Sequence, residues 1–113
     1  MKTKITREEL KRKLNGGKDL VLVEALPRKY WAKEHIPGAL NLPHDEIERL
    51  APELLPDKDR EIVVYCADAA CANSQIAAKA LSALGYSRVV EYVEGKADWK
   101  AAGYPLENVR RGV

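Results

Sequence analysis

Three short apolar runs, each rich in β-branched residues and set apart by segments of helical character, constrain this chain more than anything else in it. They are LVLVEA at 20–25, EIVVYC at 61–66 and RVVEYV at 88–93. Their apolar positions are near-continuous rather than strictly alternating, the pattern of strands covered on both faces. Between and around them lie helix signals. Thr6 and Glu9 have the spacing of a capping box, and Asn15-Gly16-Gly17 ends the helix that follows. Pro27 suits the first turn of a short helix running to about residue 34. Pro37-Gly38 gives a turn, 39–42 a short extended piece, and 45–50 a helical turn or two before a polar loop through Pro52 and Pro56. Residues 74–84 form a helix stopped by Gly85, and 97–102 a last helix ended by Gly103 and Pro105. Strands alternating with helices specify an α/β fold, a parallel sheet with helices on both faces.

A chain of 113 residues, 46% hydrophobic and 32% charged, is sized and composed for one globular domain spanning 1–113. The net charge of +2 comes from 19 basic and 17 acidic residues, so the surface is mixed in sign. The N-terminal stretch is more basic (Lys2, Lys4, Arg7, Lys11, Arg12, Lys13, Lys18), which a solvated helix face explains without a nucleic-acid partner. No apolar run approaches the ~20 residues of a membrane helix, and nothing at the N-terminus resembles a signal peptide. The expected location is therefore cytoplasmic, with no membrane partner. Thiols stay reduced there, and a cysteine pair is more often chemical than structural.

Both cysteines fall in one loop, between the strand at 61–66 and the helix at 74–84. In parallel sheets with helices on both faces, ligand sites lie beyond the carboxyl ends of the strands, which is where Cys66 stands. The residues Ala67, Asp68, Ala69, Ala70, Cys71, Ala72, Asn73 and Ser74 are small or short. Such a backbone curls tightly enough to aim its N–H groups inward as an anion cradle continuing into a helix N-terminus. A cradle of this kind is expected to lower the Cys66 pKa below its ordinary value and to hold an anionic adduct on the sulfur. Buried at a strand end, Cys66 would instead behave as a small hydrophobe. Cys71 is open to three roles: resolving an oxidised or persulfidated Cys66, binding zinc with His35 and His44, or sitting as an inert thiol. The spacing of those histidines is a weak zinc signal, so neither a metal nor a cofactor is expected.

The segments HIPGALNLP, VVYC…S…AAKALSALGY and VEGKADWKAAGYPLE occur in the order and spacing of the rhodanese-like family. The chain resembles a single-domain rhodanese over a core of about 5–107, in a variant whose loop reads C-x4-C-x2-S (Cys66, Cys71, Ser74). The resemblance implies a three-layer fold with a central five-stranded parallel sheet flanked by helices. It implies that Cys66 is the catalytic cysteine of a sulfurtransferase. That cysteine takes a sulfane sulfur from a thiosulfate-like small donor or a protein persulfide, holds it as a persulfide, and passes it to a thiol or cyanide. The alternative is a rhodanese-like binding or persulfide-relay module with little free-standing activity.

Several departures from the family pattern bear on the donor. The loop is longer than the usual C-x-x-G-x-R-S, has no Arg or Lys between Cys66 and Ser74, and carries Asp68. Asp-Val-Arg after the early strand is replaced by Glu24-Ala25-Leu26, with Arg28 and Lys29 nearby as candidate substitutes. The missing arginine counts against a dianionic donor such as thiosulfate. A phosphatase of this fold needs C-x5-R, and the position six after Cys66 is Ala72, which excludes the arginine clamp. Gly-Gly before the last helix is replaced by Glu94-Gly95, expected to alter a turn. The resemblance gives His35 a structural role. Helical spacing makes Trp99 a core residue, His44 is expected to be exposed, and Tyr30 and Trp31 are candidates to rim a pocket.

Overall fold

The three apolar runs pair side by side and in parallel. The structure, a computed structural model, describes residues 3–17 and 19–109; Lys2 and Lys18 of the basic stretch lie outside them. In chain order the elements are α1 (Arg7–Asn15), β1 (Leu20–Glu24), α2 (Arg28–Lys33), β2 (Leu40–Asn41), α3 (Ile47–Leu54), β3 (Glu61–Tyr65), α4 (Asn73–Ala83), β4 (Val89–Tyr92) and α5 (Gly95–Ala101). The sheet order is β2-β1-β3-β4, with Val23 opposite Val64 and Val64 opposite Glu91.

Among the described residues the sheet has four strands rather than the expected five. A fifth position exists beside β4 but is only one bridge long, Lys4 against Glu91. Ile5 donates to Glu91 O at 3.1 Å and Glu91 N to Thr3 O at 2.9 Å. The strand goes no further because Thr6 caps α1 at once. Its hydroxyl accepts from Glu9 N at 3.2 Å while the Glu9 carboxylate accepts from Thr6 N at 3.1 Å.

Alternation along β3 divides the core. Ile62 and Val64 pack with Val23, Ala77 and Leu81 on one face, and Val63 and Tyr65 pack with Leu10, Tyr92 and Trp99 on the other. Trp99 is a core residue as expected, with its indole N–H on Pro105 O at 2.8 Å. Helix α3 runs past the expected stop at 50 with Pro52 inside it, because Ile47, Ala51 and Leu55 recur every fourth residue and all three are buried. Helix α5 starts at Gly95, earlier than expected, and that start shapes the site.

Candidate active site

Strand β3 delivers Cys66 to the carboxyl edge of the sheet, where its residue is fully buried (0% exposed). The loop runs from there to Ala72, and α4 begins at Asn73. Cys71 is half-buried, and both cysteines are free thiols. The first turn of α5 holds the start of the loop: Lys96 N donates to Cys66 O at 2.9 Å and Ala97 N to Ala67 O at 2.8 Å. Gly95 allows this approach. It has φ +72°, and a Cβ there would stand 2.6 Å from Cys66 O and 2.9 Å from Asp68 N. The Glu94-Gly95 variation therefore keeps the glycine that faces the loop.

The loop does not present the expected ring of amides to the sulfur. Cys66 Sγ lies 3.3 Å from Cys71 O, 4.0 Å from Asp68 O and 3.6 Å from Ser74 Oγ. Two amides that a cradle would use are bonded to Asp68 instead: Ala70 N to its Oδ1 at 3.0 Å and Cys71 N to its carbonyl at 3.1 Å. The Ser74 hydroxyl, beside the sulfur, also bonds Glu91 Oε2 at 2.7 Å. Surroundings of this kind favour the protonated thiol. Burial pushes Cys66 up to about 11, the neighbouring Cys71 thiol adds to the rise, and the Ser74 hydroxyl and backbone pull the other way. The Cys66 pKa therefore stands above its ordinary value rather than below it as expected, because burial and the Cys71 thiol outweigh the contribution of Ser74.

Beneath the loop lies a buried charged network that the sequence reading missed. Glu24, fully buried, accepts from the Tyr65 hydroxyl at 2.7 Å and from Lys96 Nζ at 3.1 Å. Lys96 Nζ also donates to Glu34 O at 2.7 Å and Tyr30 O at 3.3 Å, and Tyr65 Oη accepts from Ile36 N at 3.1 Å. The network ties β1, β3 and α5 together through Tyr65, which precedes Cys66, and Lys96, whose amide bonds the Cys66 carbonyl; its two charges, Glu24 and Lys96, are paired. A sequence signal was present in each strand: Glu24 and Glu91 are lone carboxylates inside otherwise apolar runs.

A cavity of about 290 Å³ opens over the loop, walled by residues 69–72, Gln75, Val93, Glu91 and Lys4. Arg28 and Lys29 do not line it. Arg28 lies over the Trp31 ring at 5.2 Å and Lys29 over the Tyr30 ring at 5.1 Å. Trp31 does line a cavity, of about 530 Å³ with Pro27, Leu40 and Leu50, but neither cysteine touches it. His35 stacks on Trp31 at 4.4 Å and donates from Nδ1 to Trp31 O at 2.6 Å. His44 is half-buried rather than exposed and lies beside α3 and α4, with Ile47 and Ala80. Neither histidine lines the cysteine cavity.

The chain matches the Rhodanese-like domain family over residues 6–102. It is 33% identical over 106 residues to a sulfurtransferase of Allochromatium vinosum, covering 94% of this chain and 95% of that protein. The putative sulfur carrier protein YrkF of Bacillus subtilis is 30% identical over 84% of this chain and 49% of its own length. An HTH-type transcriptional regulator of Mycobacterium tuberculosis is 35% identical over 91% of this chain and 44% of its own. The chain thus spans less than half the length of those two relatives. Among solved structures, the rhodanese-like domain of an Anabaena sp. protein superposes with a TM-score of 0.83 at 29% identity, covering 100% of this chain and 85% of that one. With a parallel sheet that carries the cysteine loop at its carboxyl edge, and with this match in sequence and structure, the chain belongs to the rhodanese-like domain family.

Proposed function

We propose that this chain is a sulfurtransferase, a single rhodanese-like unit in which Cys66 accepts a sulfane sulfur as a persulfide and hands it to a thiophilic acceptor, a thiol or cyanide. The observation that carries the reading is the position of Cys66: the end of a central strand, opening a loop that holds a second thiol. Its chemistry balances without an external oxidant. Cys66 loses its proton to solvent and attacks the outer sulfur of thiosulfate. The donor's S–S bond breaks, and sulfite leaves with the electron pair. A thiol acceptor then attacks the terminal sulfur of the persulfide, leaving as a new persulfide and restoring the Cys66 thiol.

Cys71 supplies a second exit. Its thiolate attacks Cys66 Sγ and expels hydrosulfide, and an external dithiol reduces the resulting Cys66–Cys71 disulfide. The same reading places the chemistry in the cytoplasm, where small thiols serve as acceptor and reductant. Turnover from thiosulfate to a dithiol acceptor tests it. Cys66→Ser abolishes turnover, and Cys71→Ser slows it. Full turnover in Cys66→Ser contradicts the catalytic assignment. Full turnover in Cys71→Ser, with no disulfide trapped in the wild type, removes the resolving role.

A second reading, a persulfide-relay module with little activity on free donors, is favoured by the full burial of Cys66 and by the greater length of the sulfur-carrier relative. Ordinary catalytic efficiency with free thiosulfate eliminates it.

A further inference from the structure

The active-site loop has no cation of its own, yet the cavity above it has one. Lys4 reaches that wall from the N-terminal segment, held in place by the bridge between its backbone and Glu91. Among the described residues it is the one basic residue lining the cavity, and it forms no ion pair with any of them. Glu91 of β4, Cys71 of the loop and the neutral Gln75 of α4 line the same cavity, and Cys66 lies buried behind the loop rather than in its wall. Asp68 is exposed on the same loop. An anion entering this space meets one lining carboxylate, Glu91, and one lining cation, Lys4, so the lysine offsets the charge that would otherwise repel it.

We propose that Lys4 is the anion-recognition residue of this site, meeting the oxyanion end of a small sulfur donor of the thiosulfate or thiosulfonate class while its sulfane end points inward past Cys71. The inference rests on the sulfurtransferase reading for its donor class, but the charge effect is independent of it. Lys4 acts on binding: it holds the sulfonate oxygens before attack and stays beside the sulfite that leaves. It takes no part in ionising Cys66. The residue enters from the far end of the sequence, so a motif centred on the loop does not contain it.

Paired alkylating probes test the charge effect without any sulfur donor. Iodoacetate and iodoacetamide differ chiefly in charge, and peptide mass mapping reads their rates at Cys66 and Cys71 separately. In Lys4→Gln the iodoacetate-to-iodoacetamide rate ratio is expected to fall about threefold at low salt, with iodoacetamide itself unchanged. Lys4→Arg is expected to keep the wild-type ratio, and added salt to erase the difference. With thiosulfate, Lys4→Gln is expected to raise KM while kcat stays the same. An unchanged ratio in Lys4→Gln overturns the proposal. So does an equal slowing of both probes, which marks an effect on folding or thiol ionisation. If no sulfur is taken up from thiosulfate by any form yet the ratio falls, the sulfurtransferase reading fails while Lys4 stands as the anion-sensing residue.

Discussion

In the proposed sulfurtransferase reading Cys66 reacts from a thiol that is neutral at rest, and the pH dependence of its reactivity follows from that. With its pKa pushed up to about 11, the thiolate fraction grows roughly tenfold for each pH unit below that value. Alkylation of Cys66 by iodoacetamide is expected to climb steadily from neutral to alkaline pH; a plateau near neutrality contradicts the assignment. The linked stability has a definite sign. The folded-state pKa stands above the ordinary 9.0, so the neutral thiol favours the folded state below that value. The contribution is lost as pH rises towards about 11. Asp68 is the lever on this state, because its side chain and carbonyl engage the amides of Ala70 and Cys71. Asp68→Ala is expected to free the Ala70 amide and move the Cys66 alkylation profile to lower pH. Asp68→Asn keeps the acceptor oxygen and is expected to move it less.

At the scale of elements, the site depends on how closely α5 approaches the end of β3. Gly95→Ala places a Cβ against Cys66 O and Asp68 N at a positive φ. The expected cost is about 2 kcal/mol in urea denaturation, together with a slower Cys66 reaction as the loop is pushed away. Lys96→Met leaves the Glu24 carboxylate buried without its charged partner. It is expected to cost roughly 3–5 kcal/mol, and combining it with Glu24→Gln to recover part of that loss. Strict additivity of the two contradicts the pairing.

These elements also divide what the sequence reveals from what it conceals. The strands 20–25 and 61–66 were legible because continuous apolar runs have few alternatives, and the position of Cys66 followed from the strand end. The direction in which the loop turns its carbonyls was not legible. Small residues permit either orientation, and the choice is made by Asp68 capturing two amides. Glu24 and Lys96 stand far apart in the chain and meet only once the sheet and α5 assemble.

Across the whole molecule, charge is nearly balanced, with a net of +2, and that balance is repeated locally at the cavity, which Lys4 and Glu91 both line. No broad positive field draws in a dianion, so capture of thiosulfate is expected to be slow and to weaken further as salt screens the single lysine. Two residues of the basic N-terminal stretch are used internally: Arg7 pairs with Asp98 at 2.8 Å and Lys13 with Glu61 at 2.7 Å. These pairs hold α1 against α5 and β3, and through them the N-terminal segment that carries Lys4. The most direct test of the account is the intact mass of the reduced protein after brief exposure to thiosulfate, compared among wild type, Cys66→Ser and Cys71→Ser. The account predicts the gain of one sulfur atom in wild type and in Cys71→Ser, and none in Cys66→Ser. Sulfur retained on Cys66→Ser, or absent from all three, contradicts it.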